Sequence, residues 1–120
     1  EIGNYALTHF CLDPSFPLRD ELVADIALAA EKFDGVQIDF EAVLSKDYDA
    51  FLAFVSALKE RLGGKILSVA LPARVSAKSD AFGYGRIAAS ADRVVVMAYD
   101  EHWSTSAPGP VATLQWCTEV

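Results

Sequence analysis

The chain has 120 residues, with 10 Lys+Arg against 17 Asp+Glu and a formal net charge of −7; this is one domain's worth of chain, and it lacks the basic surface that nucleic acid or an anionic membrane would call for. Hydrophobic residues make up 52%, too many for a disordered chain, yet the longest apolar run, Val94 to Tyr99, is far short of the ~20 residues that span a bilayer. The start, Glu1-Ile2-Gly3-Asn4, is acidic and polar rather than a basic leader, and Cys11 and Cys117 allow one disulfide but neither a disulfide scaffold nor a four-cysteine zinc site.

Short β-type runs alternate with amphipathic helical stretches, the pattern of βαβ units and a parallel sheet. The apolar run Tyr5 to Leu12 reads as a strand, broken by Asp13-Pro14-Ser15-Phe16-Pro17. A helix follows from Arg19 to Lys32, with Leu22, Val23, Ile26, Ala30 and Phe33 at helical spacing. Val36 to Glu41 is the next strand. Ser45 or Asp47 caps a second helix, Asp47 to Leu62, which Gly63-Gly64 stops with a left-handed turn. Lys65 to Pro72 is a third strand, and Ser76 to Tyr84 a loop. A short helix from Tyr84 to Ala91 leads into the strand Arg93 to Tyr99. After a loop from Asp100 to Gly109, Pro110 opens a last helix with Trp116 on its inner, core-facing side. These are four β/α repeats at most. A closed barrel of eight takes about 200 residues or more, so the chain is either a small open α/β domain or part of a larger barrel.

The stretch Asp34-Gly35-Val36-Gln37-Ile38-Asp39-Phe40-Glu41 carries the chemistry. Alternation along a strand puts Val36, Ile38 and Phe40 on one face and Gln37, Asp39 and Glu41 on the other. In a half-exposed antiparallel strand that polar face would simply meet water. Parallel strands, however, are usually covered on both faces, as Ile66 to Leu71 and Arg93 to Tyr99 suggest for this sheet. A polar row in such a sheet is anomalous, because burying an ionised carboxylate is costly unless it is paired or hydrogen-bonded. Asp39 and Glu41 lie about 6–7 Å apart along the strand, near the carboxyl end where α/β sites are built. Their mutual repulsion and desolvation raise the pKa of at least one, and a carboxylic acid that keeps its proton serves as a general acid for bond cleavage.

Asp34-Gly-Val-Gln-Ile-Asp39-Phe-Glu41 resembles the D-G-x-x-x-D-x-E signature of glycoside hydrolase family 18, the chitinase-like enzymes. Leu67 to Pro72 looks like the family's next barrel strand, and Met97-Ala98-Tyr99-Asp100 like its Met-x-Tyr-Asp strand end. The run from Met97 to Trp103 is similar to the branch of bacterial spore-cortex and cell-wall N-acetylglucosaminidases. The resemblance implies an α/β fold of parallel β/α units forming about half of a TIM (β/α)8 barrel, with residues 1–120 a single fragment of its catalytic domain. It implies a retaining hydrolase of β-1,4 bonds in N-acetylglucosamine-containing glycans, peptidoglycan or chitin, that uses the substrate's own acetamido group as nucleophile. Glu41 matches the acid/base, Asp39 the residue that orients the acetamido group, and Tyr99 the hydroxyl that bonds its carbonyl. Asp100, Gln37, Trp103 and Met97 are expected to contact substrate. The full-length protein is expected outside the cell, at the wall or spore.

At Gln37 many members of the family carry a further Asp. An amide there cannot ionise, so the repulsion on Asp39 is smaller and a different pH profile is expected. No cofactor is implied. No metal site is expected either, since His9 and His102 are the two histidines and lack paired spacing. Trp103 could stack on a sugar or pack its loop, whereas Trp116, near Val111 and Leu114, is expected in the core. Cys11 reads as a small buried apolar group. Half a barrel would leave two sheet edges open, which the fragment could cover by self-association. The rival reading is a non-catalytic carbohydrate-binding or scaffold module on the same barrel, against which the presence of Glu41 argues.

Overall fold

The structure, a computed structural model, describes residues 4–74 and 83–120. Its centre is a three-stranded parallel sheet in the order β1 (Gly35–Asp39), β2 (Ile66–Pro72), β3 (Arg93–Met97). Helices α1 (Tyr5–Leu12) and α2 (Leu18–Ala29) precede β1, α3 (Tyr48–Leu62) joins β1 to β2, α4 (Tyr84–Ser90) precedes β3, and α5 (Leu114–Glu119) follows it. These are consecutive β/α units, as the alternating pattern predicts.

The core lies between the helices and one face of the sheet. Ile38 and Phe40 from the β1 segment and Leu67, Val69 and Leu71 from β2 meet Phe51, Phe54, Val55 and Leu58 of α3, with Val23 of α2 and Ile87 of α4 at the flanks. Phe40 stacks on both Phe51 and Phe54, with ring centroids 5.9 and 5.4 Å apart. Sequence spacing explains this arrangement. Apolar residues every second position on a strand and every third or fourth on α3 can be buried together only in this orientation. Gly63, at φ 61°, ends α3 in the conformation glycine tolerates.

Three expectations are corrected. Tyr5 to Leu12 is helical, not a strand: the Asn4 side chain accepts the Leu7 N–H at 3.0 Å, and Thr8 and Leu12, four apart, are the residues buried. A short apolar run does not by itself distinguish the two states. The described residues therefore hold three β/α strands rather than four. Asp47 occupies the N-cap of α3 but makes no side-chain cap bond, and Ser45 lies inside the short 3-10 turn before α3 rather than at its cap; the Asp47 carboxylate is instead engaged by His9 Nδ1 at 2.8 Å. The last helix begins at Leu114, capped by Thr113, and not at Pro110. Most of the expected Ser76–Tyr84 loop lies outside the described residues.

Two contacts fix the sheet. A Cβ at Gly35 would collide with the carbonyl oxygen of Ile66 and lie 2.8 Å from its Cβ, so β1 enters the sheet at a place only glycine fits. Asp92, just before β3, accepts the Leu67 N–H at 2.7 Å and the Lys59 ammonium at 2.6 Å through one oxygen. The Leu67 backbone bond, then the Lys59 bond, hold its pKa below the ordinary 3.8. Gly35→Ala is expected to destabilise the protein by about 1–3 kcal/mol, read from denaturant midpoints. Because the folded-state pKa of Asp92 is depressed, its contribution is present above the unfolded-state value and is lost as pH falls through the folded-state value. Asp92→Asn should therefore flatten the loss of melting temperature on acidification below 3.8.

Candidate active site

The face of the sheet away from the helices carries the site. On β1 the alternation places Gln37, Asp39 and then Glu41 there. The register aligns Gln37 with Ser68 and Asp39 with Ala70, and Ser68 with Arg93, Ala70 with Val95 and Pro72 with Met97. Side chains from three strands thus form layers. The lowest holds Gln37, Ser68 and Arg93, the next Asp39, Ala70 and Val95. Glu41, two residues past Asp39, falls level with Pro72 and Met97 at the carboxyl end. Glu41 lies beyond the last ladder residue, since β1 ends at Asp39.

A cavity of about 330 Å³ opens at this end, lined by Glu41, Pro72, Ala73, Met97, Tyr99, Asp100 and Trp116. Four of the seven residues singled out in the sequence, Glu41, Tyr99, Asp100 and Met97, therefore meet in one place. Asp39 sits a layer below, half-buried, with its Oδ1 buried and without a hydrogen-bond partner among the described residues. A carboxylate oxygen in that state is poised to accept a donor. Gln37 is a layer further down and exposed, and its Oε1 accepts the Ser68 hydroxyl at 3.2 Å. It does not line the cavity, nor does Trp103. Trp103 is 60% exposed, and its Nε1–H donates to Thr105 Oγ1 at 2.9 Å within a local turn.

The end of β3 is shaped to present its side chains. The Ala98 N–H turns back to the Val96 carbonyl at 3.0 Å, which ends the ladder. Asp100 follows at φ 56°, the one non-glycine residue with positive φ among those described. Such backbone costs about 1–2 kcal/mol for most side chains and less for Asp, and it gathers at functional positions. The loop then closes on itself. Glu101 N–H donates to the Val111 carbonyl at 2.9 Å, and the Glu101 carboxylate accepts the Thr113 N–H at 2.7 Å. His102 packs its ring on Gly109 and places Nδ1 3.0 Å from the Pro110 carbonyl, a loop-closing role.

Trp116 corrects its expected place in the core. It is half-buried, belongs to no core cluster and forms a wall of the cavity. Helical spacing signals a face but not what that face meets, and here the neighbour is the site. Both cysteines are free thiols.

Consecutive parallel β/α units with an acidic cavity at their carboxyl ends are the architecture of α/β enzymes, the (β/α)8 barrels among them. The chain belongs to glycosyl hydrolases family 18, whose sequence pattern matches residues 21–119. It is 39% identical over 103 residues to YdhD of Bacillus subtilis strain 168, assigned as a candidate sporulation-specific glycosylase, covering 80% of this chain and 24% of YdhD. The YdhD crystal structure superposes with a TM-score of 0.86 at 34% identity, over 97% of this chain and 40% of that one. The spore cortex-lytic enzyme SleL of Bacillus cereus gives 0.86 at 29% identity, over 100% of this chain and 30% of SleL. A chitinase from Chromobacterium violaceum gives 0.85 at 31% identity, over 98% and 39%. The chain thus spans well under half of these relatives.

The positive φ of Asp100 makes a backbone prediction separable from chemistry. Asp100→Gly is expected to be about 1 kcal/mol more stable than Asp100→Val, as read by thermal unfolding.

Proposed function

We propose that this segment carries the acid/base centre of a retaining glycosidase that cleaves β-1,4 bonds next to N-acetylglucosamine, with cell-wall peptidoglycan preferred to chitin. The observation that supports it best is the meeting of Glu41, Tyr99, Asp100 and Met97 in one cavity at the carboxyl end of the sheet. The names of the relatives support the substrate class, because a spore cortex-lytic enzyme and a chitinase share this fold at 29% and 31% identity. They also support an action at the spore or cell wall for the whole protein.

In this reading the substrate's acetamido carbonyl oxygen attacks the anomeric carbon while Glu41 gives its proton to the departing glycosidic oxygen. The C–O bond breaks and an oxazolinium ring forms. Glu41, now a carboxylate, takes a proton from water, and that water's oxygen attacks the anomeric carbon and reopens the ring. Asp39 orients the acetamido N–H and steadies the positive charge, and the Tyr99 hydroxyl donates to the acetamido carbonyl. Holding a weak nucleophile in line supplies much of the rate. Met97 and Asp100 contact the sugar from the end of β3. Gln37 bounds the acidic row from below with an amide that hydrogen-bonds the Ser68 hydroxyl and carries no ionisable group.

Glu41→Gln in the full-length protein is expected to lower hydrolysis of a chromogenic N-acetylglucosamine oligomer and of peptidoglycan by roughly 10²–10⁴-fold, while oligomer binding stays intact. Equal turnover in variant and wild type would remove the mechanism. Binding without turnover in the wild type would favour a carbohydrate-binding module instead.

A further inference from the structure

We propose that Trp116 is a sugar-contacting wall of this site and that Glu101 is the positioning residue that holds it there; the inference rests on the glycosidase reading above. Trp116 lines the same cavity as Glu41, Tyr99 and Asp100. No residue of α5 is buried, so apolar packing beneath the sheet does not explain where this helix lies.

Polar contacts place it instead, and they start from the residues directly after β3. The Glu101 carboxylate accepts the Thr113 N–H at 2.7 Å. The Glu101 N–H reaches the Val111 carbonyl at 2.9 Å. Thr113 Oγ1 in turn accepts the Trp116 N–H at 3.1 Å, and Cys117 Sγ lies 3.7 Å from the Ala98 carbonyl. Glu101 thus ties the first turn of α5 to the strand end that carries Tyr99 and Asp100.

The indole is also held at a cost. Its Nε1 is buried and has no acceptor among the described residues, and a buried donor left unmatched destabilises a fold. Local features that disfavour stability gather where function needs them. What the indole supplies is a broad, rigid apolar surface beside a carboxyl group. A pyranose ring offers the matching partner, an apolar C–H face ringed by hydroxyls. Stacked on Trp116, a sugar unit would be oriented toward Glu41 and would shield it from water. The occupant is a hexopyranose unit of the glycan chain, recognised by shape rather than by a charge.

The test measures binding of an N-acetylglucosamine tetramer by calorimetry to the full-length protein carrying Glu41→Gln, with further substitutions added. Trp116→Leu is expected to raise Kd roughly ten-fold and Trp116→Phe roughly three-fold, following the apolar area lost. Glu101→Ala should weaken binding in the same direction. Glu101→Gln, which keeps an acceptor oxygen for the Thr113 N–H, should stay within about two-fold of its parent. In the otherwise wild-type enzyme, Glu101→Ala should raise KM more than it lowers kcat, with Gln restoring both. Unchanged Kd in Trp116→Leu, with a parent that binds, overturns this inference and leaves the glycosidase reading standing. No binding by the folded Glu41→Gln parent overturns both. Should Trp116→Leu not fold, Trp116→Phe and the Glu101 pair decide: Kd values all within two-fold of the parent overturn the proposal.

Discussion

The parallel register of β2 against both of its neighbours determines on which face of the sheet the polar row of β1 lies. Side chains alternate along a strand, so pairing Asp39 with Ala70, and Ala70 with Val95, commits each strand to one set of residues facing the helices and another facing away. A slip of one residue on β1 would send Asp39 and Glu41 into the Phe51 and Phe54 core and leave Ile38 and Phe40 outside. The core therefore enforces the site. Burial of Phe40 against α3 and the presentation of Glu41 at the cavity are two sides of the same strand segment.

Small side chains in the middle strand complete the arrangement. Ala70, beside Asp39, is 4% exposed and fills little of the space above the sheet. Pro72 and Ala73 continue this at the carboxyl end, where they form part of the cavity wall. Tyr84 from α4 donates its hydroxyl to the Pro72 carbonyl, and Arg74 lies over the Tyr84 ring at 4.5 Å. The end of β2 is thus supported from the helix side while its other side stays open beneath Glu41.

Much of this was legible in the amino-acid order where local pattern and tertiary need coincide. The segment Asp34 to Glu41 is such a place: glycine at the crowded entry to the sheet, alternating apolar residues for the core, and carboxylates on the opposite face. The helix over Tyr48 to Leu62 is another, since its apolar stripe and its glycine stop both serve the packing found. Legibility fails where a distant partner decides. Tyr5 to Leu12 has the composition of a strand, but no strand among the described residues pairs with it, and Asn4 starts a helix. Asp47 stands where a cap belongs, yet its carboxylate turns to His9. Trp116 looks like a core residue because spacing reports a face and not its neighbour, and that neighbour is assembled by Glu101 and Thr113 from across a loop. Trp103 instead bonds within its own turn and stays largely in solvent.

The contact between His9 and Asp47 has a consequence for how the chain assembles. It joins residues 38 apart in sequence, and Asp47 is 4% exposed once it forms. Closing a segment of that length carries an entropic penalty that nearer pairings avoid. The first helix is thus anchored twice, by packing on the adjacent α2 and by this distant tie to the turn that leads into α3, so loss of the tie would loosen one end of the helix without removing the other support.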